Sequence, residues 1–526
     1  MNRSSIRWIL VVVSLTATHC AWAELTDLTQ TPNAVNEGIA KSLEDEVAAG
    51  RGDVRLPGSS LYVIARDPFR AIRRGRQLFQ RKFTVAQGLG PRFEDGIGGD
   101  IRATPALGAG LADSCAGCHG RPRGAAGFGG DVFTRPDSRD APHLFGLGLQ
   151  EMLGDEMTAD LRAQRAAAVS QAIRAHRAVT VALSSKGIGF GRLTANADGA
   201  VDSSGIQGVD ADLRIKPFFA QGGAFSIRQF VVGALNDEMG LQAPDTDLLT
   251  AAAGGRVVTP SGLVLDGALD KLSAPAATDT GADPDGDGVS NEIDVALVDY
   301  LEFYLLNYFK PATYEKTTLT ETGRRLMPAF GCTACHQPSL VIEADRRVAD
   351  VATEYDPVRG IFNNLFATAT PLFHEVADNS GLPALRQPNR ARFVVDNFYA
   401  DLKRHDLGPK FWERNFDGTF QREFMTEPLW GVGTTAPYGH DGRSVNLHEV
   451  ILRHGGEAQR SRDLYASASA SAQIALRAFL ESLVLFPPDD TASNLNPGDS
   501  TAPNFPQKGH GNIKLPVLFL DPSEPE

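Results

Sequence analysis

The sequence predicts a mainly α-helical fold of two related domains, with long loops and an irregular C-terminal tail. Two observations support the relation between the domains. The motif C-x-x-C-H occurs twice, at Cys115 and at Cys332, and each copy follows a similar short segment, GRQLF or GRRLM. A second pair of segments, PFFAQGG from Pro217 and PYGHDGR from Pro437, aligns without a gap. Similar segments repeated in the same order indicate an internal duplication.

The first 23 residues have the features of a secretory signal peptide. Arg3 and Arg7 precede an apolar run, and Ala21-Trp22-Ala23 forms a cleavage site of the A-x-A type. The apolar run is too short to cross a bilayer, and no later stretch is apolar enough for a membrane span. These features predict export to the periplasm.

Composition and charge indicate an acidic globular protein. Hydrophobic residues make up 42% of the chain and charged residues 22%, and the formal net charge is −13 at pH 7. The length of 526 residues exceeds that of one ordinary core. An acidic surface disfavours nucleic acid and anionic lipid, and it suits small molecules or a basic protein partner.

The cysteines give the most specific chemical signal. Outside the signal peptide there are two pairs, each followed by histidine: Cys115, Cys118 and His119, and Cys332, Cys335 and His336. In c-type haem attachment two thiols add to the vinyl groups of one macrocycle, and the adjacent histidine ligates the iron. Disulfides, zinc binding and thiol redox chemistry are the alternatives. Two identical motifs favour two covalent c-type haems in two cytochrome c-like domains, and no disulfide.

The aligned segments differ at one position that bears on haem chemistry. His454 in the second segment aligns with Ala234 in the first. Because alanine cannot ligate iron, we expect one haem to be closed by His336 and His454, and the haem on His119 to keep an open face. The alternative for His454 is a helix C-terminus, where a histidine followed by glycine is common.

Further motifs carry a resemblance to a known family. They are SCAGCHG, GCTACHQP, EMG from Glu238, DLKRHDLG from Asp401, EPLWGVGTTAPYGHDGR from Glu427 and HGGEA from His454. With these motifs the chain resembles the di-haem cytochrome c peroxidase superfamily, in the branch of di-haem oxidoreductases or putative peroxidases, also labelled thiol oxidoreductases. The similarity runs from about Gly75 to Leu485.

The resemblance implies different roles for the two haems. In the family the N-terminal haem reacts with hydrogen peroxide and the C-terminal haem passes electrons. His454 lies where many peroxidases have a methionine as sixth ligand. Glu238 matches the acidic residue above the reactive haem, which moves a proton between the peroxide oxygens. Its alternative is an exposed carboxylate at a helix end. A small cytochrome c or cupredoxin is the expected electron donor.

Departures from the family pattern leave other reactions open. Phe230 stands where a glutamine usually accompanies the acidic residue, with Gln229 one position early. Phe219 and Ala220 lie where the family has a tryptophan between the haems. A more apolar face suits an oxygenase or oxidase of an organic or protein substrate. A non-catalytic electron carrier with both haems six-coordinate is the third hypothesis.

Other histidines and one arginine are candidate haem contacts. His440, in the YGHDG loop, and the neighbouring Arg443 are predicted to contact a haem propionate, although an ordinary surface charge is the alternative for Arg443. His405 is an alternative to His454 as iron ligand. His143 is an alternative closing ligand for the first haem, with packing as its other role.

A calcium site is predicted between the halves. The segment DPDGDGVSNEID matches the twelve-residue calcium loop, and a helix-forming stretch follows it. The ligands would be Asp283, Asp285, Asp287, the carbonyl of Val289, Asn291 and Asp294. A solvated acidic linker is the alternative.

These predictions divide the chain into six parts. They are a signal peptide (1–23), an N-terminal helical arm (24–70), the domain of the reactive haem (71–280), the calcium-type loop with a linking helix (281–310), the domain of the electron-transfer haem (311–487) and a surface tail (488–526). Ser226 and Asn446 are predicted N-caps of the helices that lead to Ala234 and His454. A homodimer is compatible with this organisation.

Overall fold

The structure is a computed structural model that describes residues 43–81, 83, 114–119, 139–283, 288–308, 310–311, 316–355, 365–415, 417–484 and 512–513. The predicted signal peptide and nearly all of the predicted tail lie outside these residues. Within the described ranges no helix is both long and apolar enough to cross a membrane.

The helices of the described residues are, in chain order, α1 (Leu43–Val47), α2 (Ser60–Arg66), α3 (Pro68–Gln80), α4 (Cys115–His119), α5 (Leu147–Ala175), α6 (Ile227–Met239), α7 (Thr246–Ala252), α8 (Val295–Asn307), α9 (Thr318–Ala329), α10 (Leu447–Arg453), α11 (Gln459–Ser467) and α12 (Ala470–Glu481). Short 3₁₀ turns span Cys332–Ala334 and Gly456–Ala458.

The strands are β1 (Val179–Ser185), β2 (Ile188–Ala195), β3 (Val201–Asp202), β4 (Arg256–Val258), β5 (Val264–Asp266), β6 (Ser339–Ile342), β7 (Ala349–Tyr355), β8 (Leu365–Pro371), β9 (Phe373–Val376), β10 (Leu385–Pro388), β11 (Phe393–Asp396), β12 (Arg404–Asp406), β13 (Glu413–Arg414), β14 (Phe420–Gln421), β15 (Glu423–Met425) and β16 (Asn512–Ile513). They form small sheets: β1-β2-β3, β16-β8-β7, and the pairs β4-β5, β6-β11, β9-β10, β12-β15 and β13-β14.

The prediction of a mainly α-helical fold is wrong. The described residues are 38% helix and 17% strand, so the fold is mixed. Helix α5 ends at Ala175, and the alternating segment VTVALSS, with three β-branched residues, forms β1. Most of the remaining strands lie between the second C-x-x-C-H motif and α10, in short polar pairs.

The prediction of two duplicated domains is also wrong, since no two-domain duplication is evident. The first motif forms a helix and the second a 3₁₀ turn. The long α5 and the sheet β1-β2-β3 separate the first motif from α6, whereas a series of two-stranded and three-stranded sheets separates the second motif from α10. Ala234 and His454 therefore do not occupy equivalent positions in two repeated domains.

Helix starts and helix crossings position the site. The predicted N-caps are confirmed: Ser226 accepts from the Gln229 amide and Asn446 from the Glu449 amide. Helix α3 crosses the almost fully buried α8 at Gly75, where a Cβ atom would lie 2.2 Å from the Tyr300 carbonyl oxygen. Only glycine permits that approach.

Three hydrophobic clusters surround these elements. The first joins α2, α3, α6 and α8 and reaches Cys115. The second joins α5, β1 and β2 to β6 and β11, and includes Trp430. The third joins the four helices α9, α10, α11 and α12 and reaches Cys332. Both C-x-x-C-H motifs thus lie at the border of a packed cluster.

Candidate functional site

One cavity brings the two C-x-x-C-H motifs together. Its volume is about 1070 Å³, and all four cysteines, His119, His336 and His454 line it. Ordinary small-molecule pockets measure roughly 300–1,000 Å³. Aromatic and aliphatic side chains from α6, α8, α10 and α12 form much of the wall. The cavity is therefore large and predominantly apolar, and possible metal ligands line it at both C-x-x-C-H motifs.

The first motif holds His119 in a fixed tautomer. Its Nδ1 lies 2.7 Å from the carbonyl oxygen of Pro142. A carbonyl can only accept, so Nδ1 carries the proton and Nε2 keeps a lone pair for a metal. Burial lowers the pKa of His119, which keeps the ring neutral. An outer hydrogen bond of this kind is typical of histidine ligands.

Helix α6 presents one face to the same cavity. Phe230, Ala234 and Glu238 all line it, and their spacing of four places them along one side of the helix. The Phe230 ring lies 6.0 Å from the His119 ring, and Phe219 packs 5.3 Å from Phe230. Glu238, half-buried near the end of α6, is the acidic group on this face. The other two residues of this face, Phe230 and Ala234, are apolar.

The second motif combines two histidines with the same hydrogen-bond arrangement. His336 Nδ1 lies 2.9 Å from the Tyr399 carbonyl oxygen, and His454 Nδ1 lies 2.6 Å from the Val450 carbonyl oxygen. Burial, with a smaller effect of His336, lowers the pKa of His454 to about 4. Both rings are neutral and keep Nε2 for a metal. Capping of the last helical turn, the alternative role of His454, uses Nδ1 and is compatible with ligation through Nε2.

His405 is held differently and does not fit an iron ligand. Its Nδ1 lies 2.8 Å from Glu457 Oε2 and its Nε2 lies 2.9 Å from Asp401 Oδ2. Burial opposes the charge of this ring, but the hydrogen bonds with Asp401 and Cys335 outweigh it and raise the pKa to about 11. Cys335, Asp401 and His405 bring potential metal-binding atoms within 4.8 Å of one another. Because both His405 nitrogens hydrogen-bond to carboxylates, we infer that this cluster holds the second C-x-x-C-H motif in position.

His143 is likewise engaged through both nitrogens. Its Nε2 lies 3.0 Å from the Trp430 carbonyl oxygen, and its Nδ1 accepts from the Phe145 amide at 3.3 Å. Burial is the main cause that lowers its pKa to about 4. A ring held in this way supports the wall of the cavity and leaves no lone pair for iron.

The structure separates the two predicted propionate contacts. His440 lines the cavity, stacks on Phe424 at 3.7 Å, and has an Nε2 without a hydrogen-bond partner among the described residues. Burial lowers its pKa to about 4. The side chain of Arg443 is 53% exposed and pairs with Asp441 at 3.6 Å, and it does not line the cavity.

The thiols resemble a haem attachment site more than a zinc site. Burial raises the pKa of Cys115 to about 12 and that of Cys332 to about 11. Zinc ligands and redox-active thiols need a lowered pKa. No disulfide occurs among the described cysteines. Neutral thiols beside a neutral histidine, at the wall of a large apolar cavity, fit a covalent haem.

The predicted calcium loop is described in part. Asp285 and Asp287 lie outside the described residues. The Gly288 amide donates to Asp283 Oδ2 at 3.0 Å, and Gly288 has a φ of 87°. Asn291 has a φ of 54°, and Asp294 caps α8 through the Ala296 amide. The segment is thus a turn that leads into a helix.

Several residues near the cavity were not predicted from the sequence. Arg139 forms a two-pronged ion pair with the buried Glu413, beside His440. Glu427 and Trp430 line the cavity from the EPLWGVG motif. Arg139 belongs to none of the sequence motifs, so the sequence does not indicate a role for it. The sequence does single out Glu427, since it is the one charged residue of the segment EPLWGVG.

Comparison with known proteins supports the predicted family. The family described as "di-haem oxidoreductase, putative peroxidase" matches residues 359–483, which include His405, Glu427, His440 and His454. The match confirms the resemblance seen in the sequence. It implies haem cofactors and oxidoreductase chemistry. No curated protein matches the chain.

Proposed function

We propose that the chain, which carries the di-haem oxidoreductase sequence over residues 359–483, is a periplasmic c-type oxidoreductase that reduces hydrogen peroxide at its first haem. One observation carries the proposal. The cavity histidines offer one iron ligand, His119, at the first motif, and two, His336 and His454, at the second. Helix α6 lines the same cavity with Ala234 and Glu238 and carries no histidine.

The haem and the residues at the first motif would have separate roles in the reaction. Haem iron would bind peroxide and accept or release single electrons. Glu238 would take the proton from the near oxygen of peroxide and return it to the leaving oxygen, which favours cleavage of the O–O bond. Phe219 and Phe230 would exclude water from this place. Each turnover converts H₂O₂, two electrons and two protons into two molecules of water.

Electrons would enter through the second site. His336 and His454 would both ligate the second haem iron and leave no place for peroxide, so the site would suit electron storage and transfer. The acidic chain would attract a basic donor, a small cytochrome c or a cupredoxin. Cys115, Cys118, Cys332 and Cys335 would hold the haems through thioether bonds.

A second candidate function has its own support. The family glutamine is replaced by Phe230, and Phe218 and Phe219 pack with it at 6.0 and 5.3 Å. Such an apolar pocket suits an organic substrate, as in an oxygenase or oxidase.

Spectroscopy and turnover test the proposal. The purified protein should show one high-spin and one low-spin haem, and it should consume peroxide at the expense of a reduced cytochrome c or cupredoxin. Two low-spin haems that do not react with peroxide would refute the peroxidase and favour an electron carrier. Oxygen consumption with an organic substrate, without peroxide turnover, would favour the oxygenase.

Calcium is a further part of the proposal. Asp283, Val289 and Asn291 would bind it with Asp285 and Asp287, and Asp294 would join loop and helix. A calcium chelator should lower the melting temperature of the protein, and Asp283→Ala should abolish that response. A chelator without effect on the parent protein would exclude the site.

A further inference from the structure

Residues 425–430, here called the central segment, connect the two sites. On the side of the first motif, the Met425 amide donates to the Ala220 carbonyl oxygen at 2.8 Å. The Trp430 carbonyl oxygen accepts from His143 Nε2 at 3.0 Å. Ala220 follows Phe219, and both line the cavity near Phe230.

On the side of the second motif, the same segment is bound to other backbone groups. The Thr426 amide donates to the Lys403 carbonyl oxygen at 3.0 Å, and the Leu429 amide donates to the Phe398 carbonyl oxygen at 3.2 Å. Phe398 precedes Tyr399, whose carbonyl oxygen accepts from His336. The central segment is therefore the part of the cavity wall between the two motifs.

Glu427 is the charged residue of the central segment. It lines the cavity, where it is an exposed residue of the wall. No hydrogen bond or ion pair joins it to another described residue. Desolvation by the surrounding protein alone raises the pKa of this carboxyl group to about 7. None of the other charged or titratable residues that line the cavity contributes to that shift: Cys115, Cys118, His119, Arg139, Asp140, His143, Glu238, Cys332, Cys335, His336, His405, Tyr438, His440, His454, Glu457 and Arg462.

We propose that Glu427 takes up a proton when an electron enters the haem pair, and that it supplies one of the two protons consumed with each peroxide. The inference rests on the proposed function. The electron comes from the donor protein, and the proton comes from solvent. Glu427 then loses this proton as peroxide and two electrons become water, which returns the carboxylate to its starting state.

The physical reason is charge compensation in a cavity of low dielectric constant. An added electron makes a nearby carboxylate less favourable, and the effect is several times larger than in water. Glu427 has no described cation to offset its charge, so protonation is its available compensation. Glu238 has a different task, because it takes a proton from one peroxide oxygen and gives it to the other within the same turnover.

Potentiometric titration of the haem-loaded protein tests the inference. The reduction potential of the parent should fall as the pH rises through 7, and reduction should take up protons that a pH indicator records. Both effects should be lost in Glu427→Gln, which keeps the shape of the side chain without its titration. Glu423→Gln, a change of an exposed carboxylate in β15 outside the cavity wall, should behave as the parent.

The outcomes separate the two proposals. A pH dependence that is unchanged in Glu427→Gln, with both haems bound by their absorbance, would overturn the inference, as would a parent without proton uptake. Peroxide turnover by the parent in that case would leave the peroxidase intact. A pH dependence lost in Glu427→Gln, in a protein that ignores peroxide, would instead refute the peroxidase and keep the proton site.

Discussion

His454 meets two requirements with one ring. Its Nδ1 satisfies the Val450 carbonyl in the last turn of α10, and its Nε2 remains available at the cavity. A methionine at this position could ligate iron but could not donate to that carbonyl. The histidine therefore caps the end of the helix and also faces the cavity at the second motif.

Replacement of His454 should change one haem only. In His454→Ala the second haem loses its sixth ligand and should convert from low spin to high spin, while the first haem keeps its spectrum. Absorbance and electron paramagnetic resonance measure this change. His448→Ala is the matched control, because His448 lies on the same helix but contacts Tyr465 outside the cavity. Unchanged spectra in His454→Ala would exclude the ligand.

Glu238 is the second residue whose role can be isolated. Glu238→Gln should lower the kcat for peroxide by about 10²-fold or more, since a positioned acid–base group contributes roughly 10²–10⁴-fold. The haem spectra should stay as in the parent. Asp237→Asn changes the preceding carboxylate, which does not line the cavity, and should leave kcat unchanged. Equal rates in Glu238→Gln and the parent would remove Glu238 from the reaction.

At the scale of helices, close crossings hold the motifs in position. Helix α9, which leads into the second motif, packs against α12 at Gly323. A Cβ atom there would lie 2.0 Å from the Ala475 carbonyl oxygen and 2.6 Å from the Phe479 Cβ. Neither neighbour can move without a shift of α12, which also lines the cavity.

A methyl group at this crossing should be costly. Gly323→Ala should lower the free energy of unfolding by at least about 1–3 kcal/mol, the usual cost of overpacking, and weaken binding of the second haem. Chemical denaturation and haem content measure the two effects. Gly233→Ala is the control in α6, where the added Cβ would meet only Phe219 at 3.8 Å. It should be neutral or stabilising, because alanine favours helix.

The helices could be predicted from the sequence, and most of the strands could not. Side-chain caps such as Ser226 and Asn446 mark helix starts by a local mechanism, and the continuous apolar stretch of α8 indicated a buried helix. Most strands between Ser339 and Met425 are short, polar and paired in twos. Their pairing depends on partners distant in sequence, so no local pattern predicted them.

The functional site, too, has parts that the local sequence predicts and parts that depend on distant segments. The attachment motifs and His454 carry local signatures, whereas the position of Glu427 depends on hydrogen bonds from Met425, Thr426 and Leu429 to other parts of the chain. The similarity of the segments at Pro217 and Pro437 predicts a domain duplication that is not evident in the structure. The structural similarity includes the turns before α6 and α10 and the starts of these helices.

At the scale of the whole molecule, a buried ion cluster joins distant segments. Arg228 of α6 is fully buried and pairs with Asp245, Asp299 and Glu302. Arg51, from the N-terminal part, binds Asp299 at 2.7 Å. Burial alone would raise the pKa of Asp299, but Arg228 and Arg51 outweigh it and lower the pKa.

The lowered pKa of Asp299 predicts how stability depends on pH. The unfolded state binds its proton near pH 3.9, so Asp299 stabilises the fold above that pH, and the contribution is lost as the pH falls through the lower folded value. Asp299→Asn should cost about 3–5 kcal/mol at neutral pH, and less in acid. Denaturation at several pH values measures this. Asp396→Asn, on the exposed side of β11, should leave the profile unchanged.

The central segment has a consequence for how the holoprotein is made. This stretch of backbone is hydrogen-bonded to segments near both motifs. A macrocycle bound at one motif would restrict the stretch, so that binding of the second macrocycle would lose less conformational entropy. Maturation should therefore be cooperative, and chains with a single macrocycle should be the scarcest species in a partly assembled preparation.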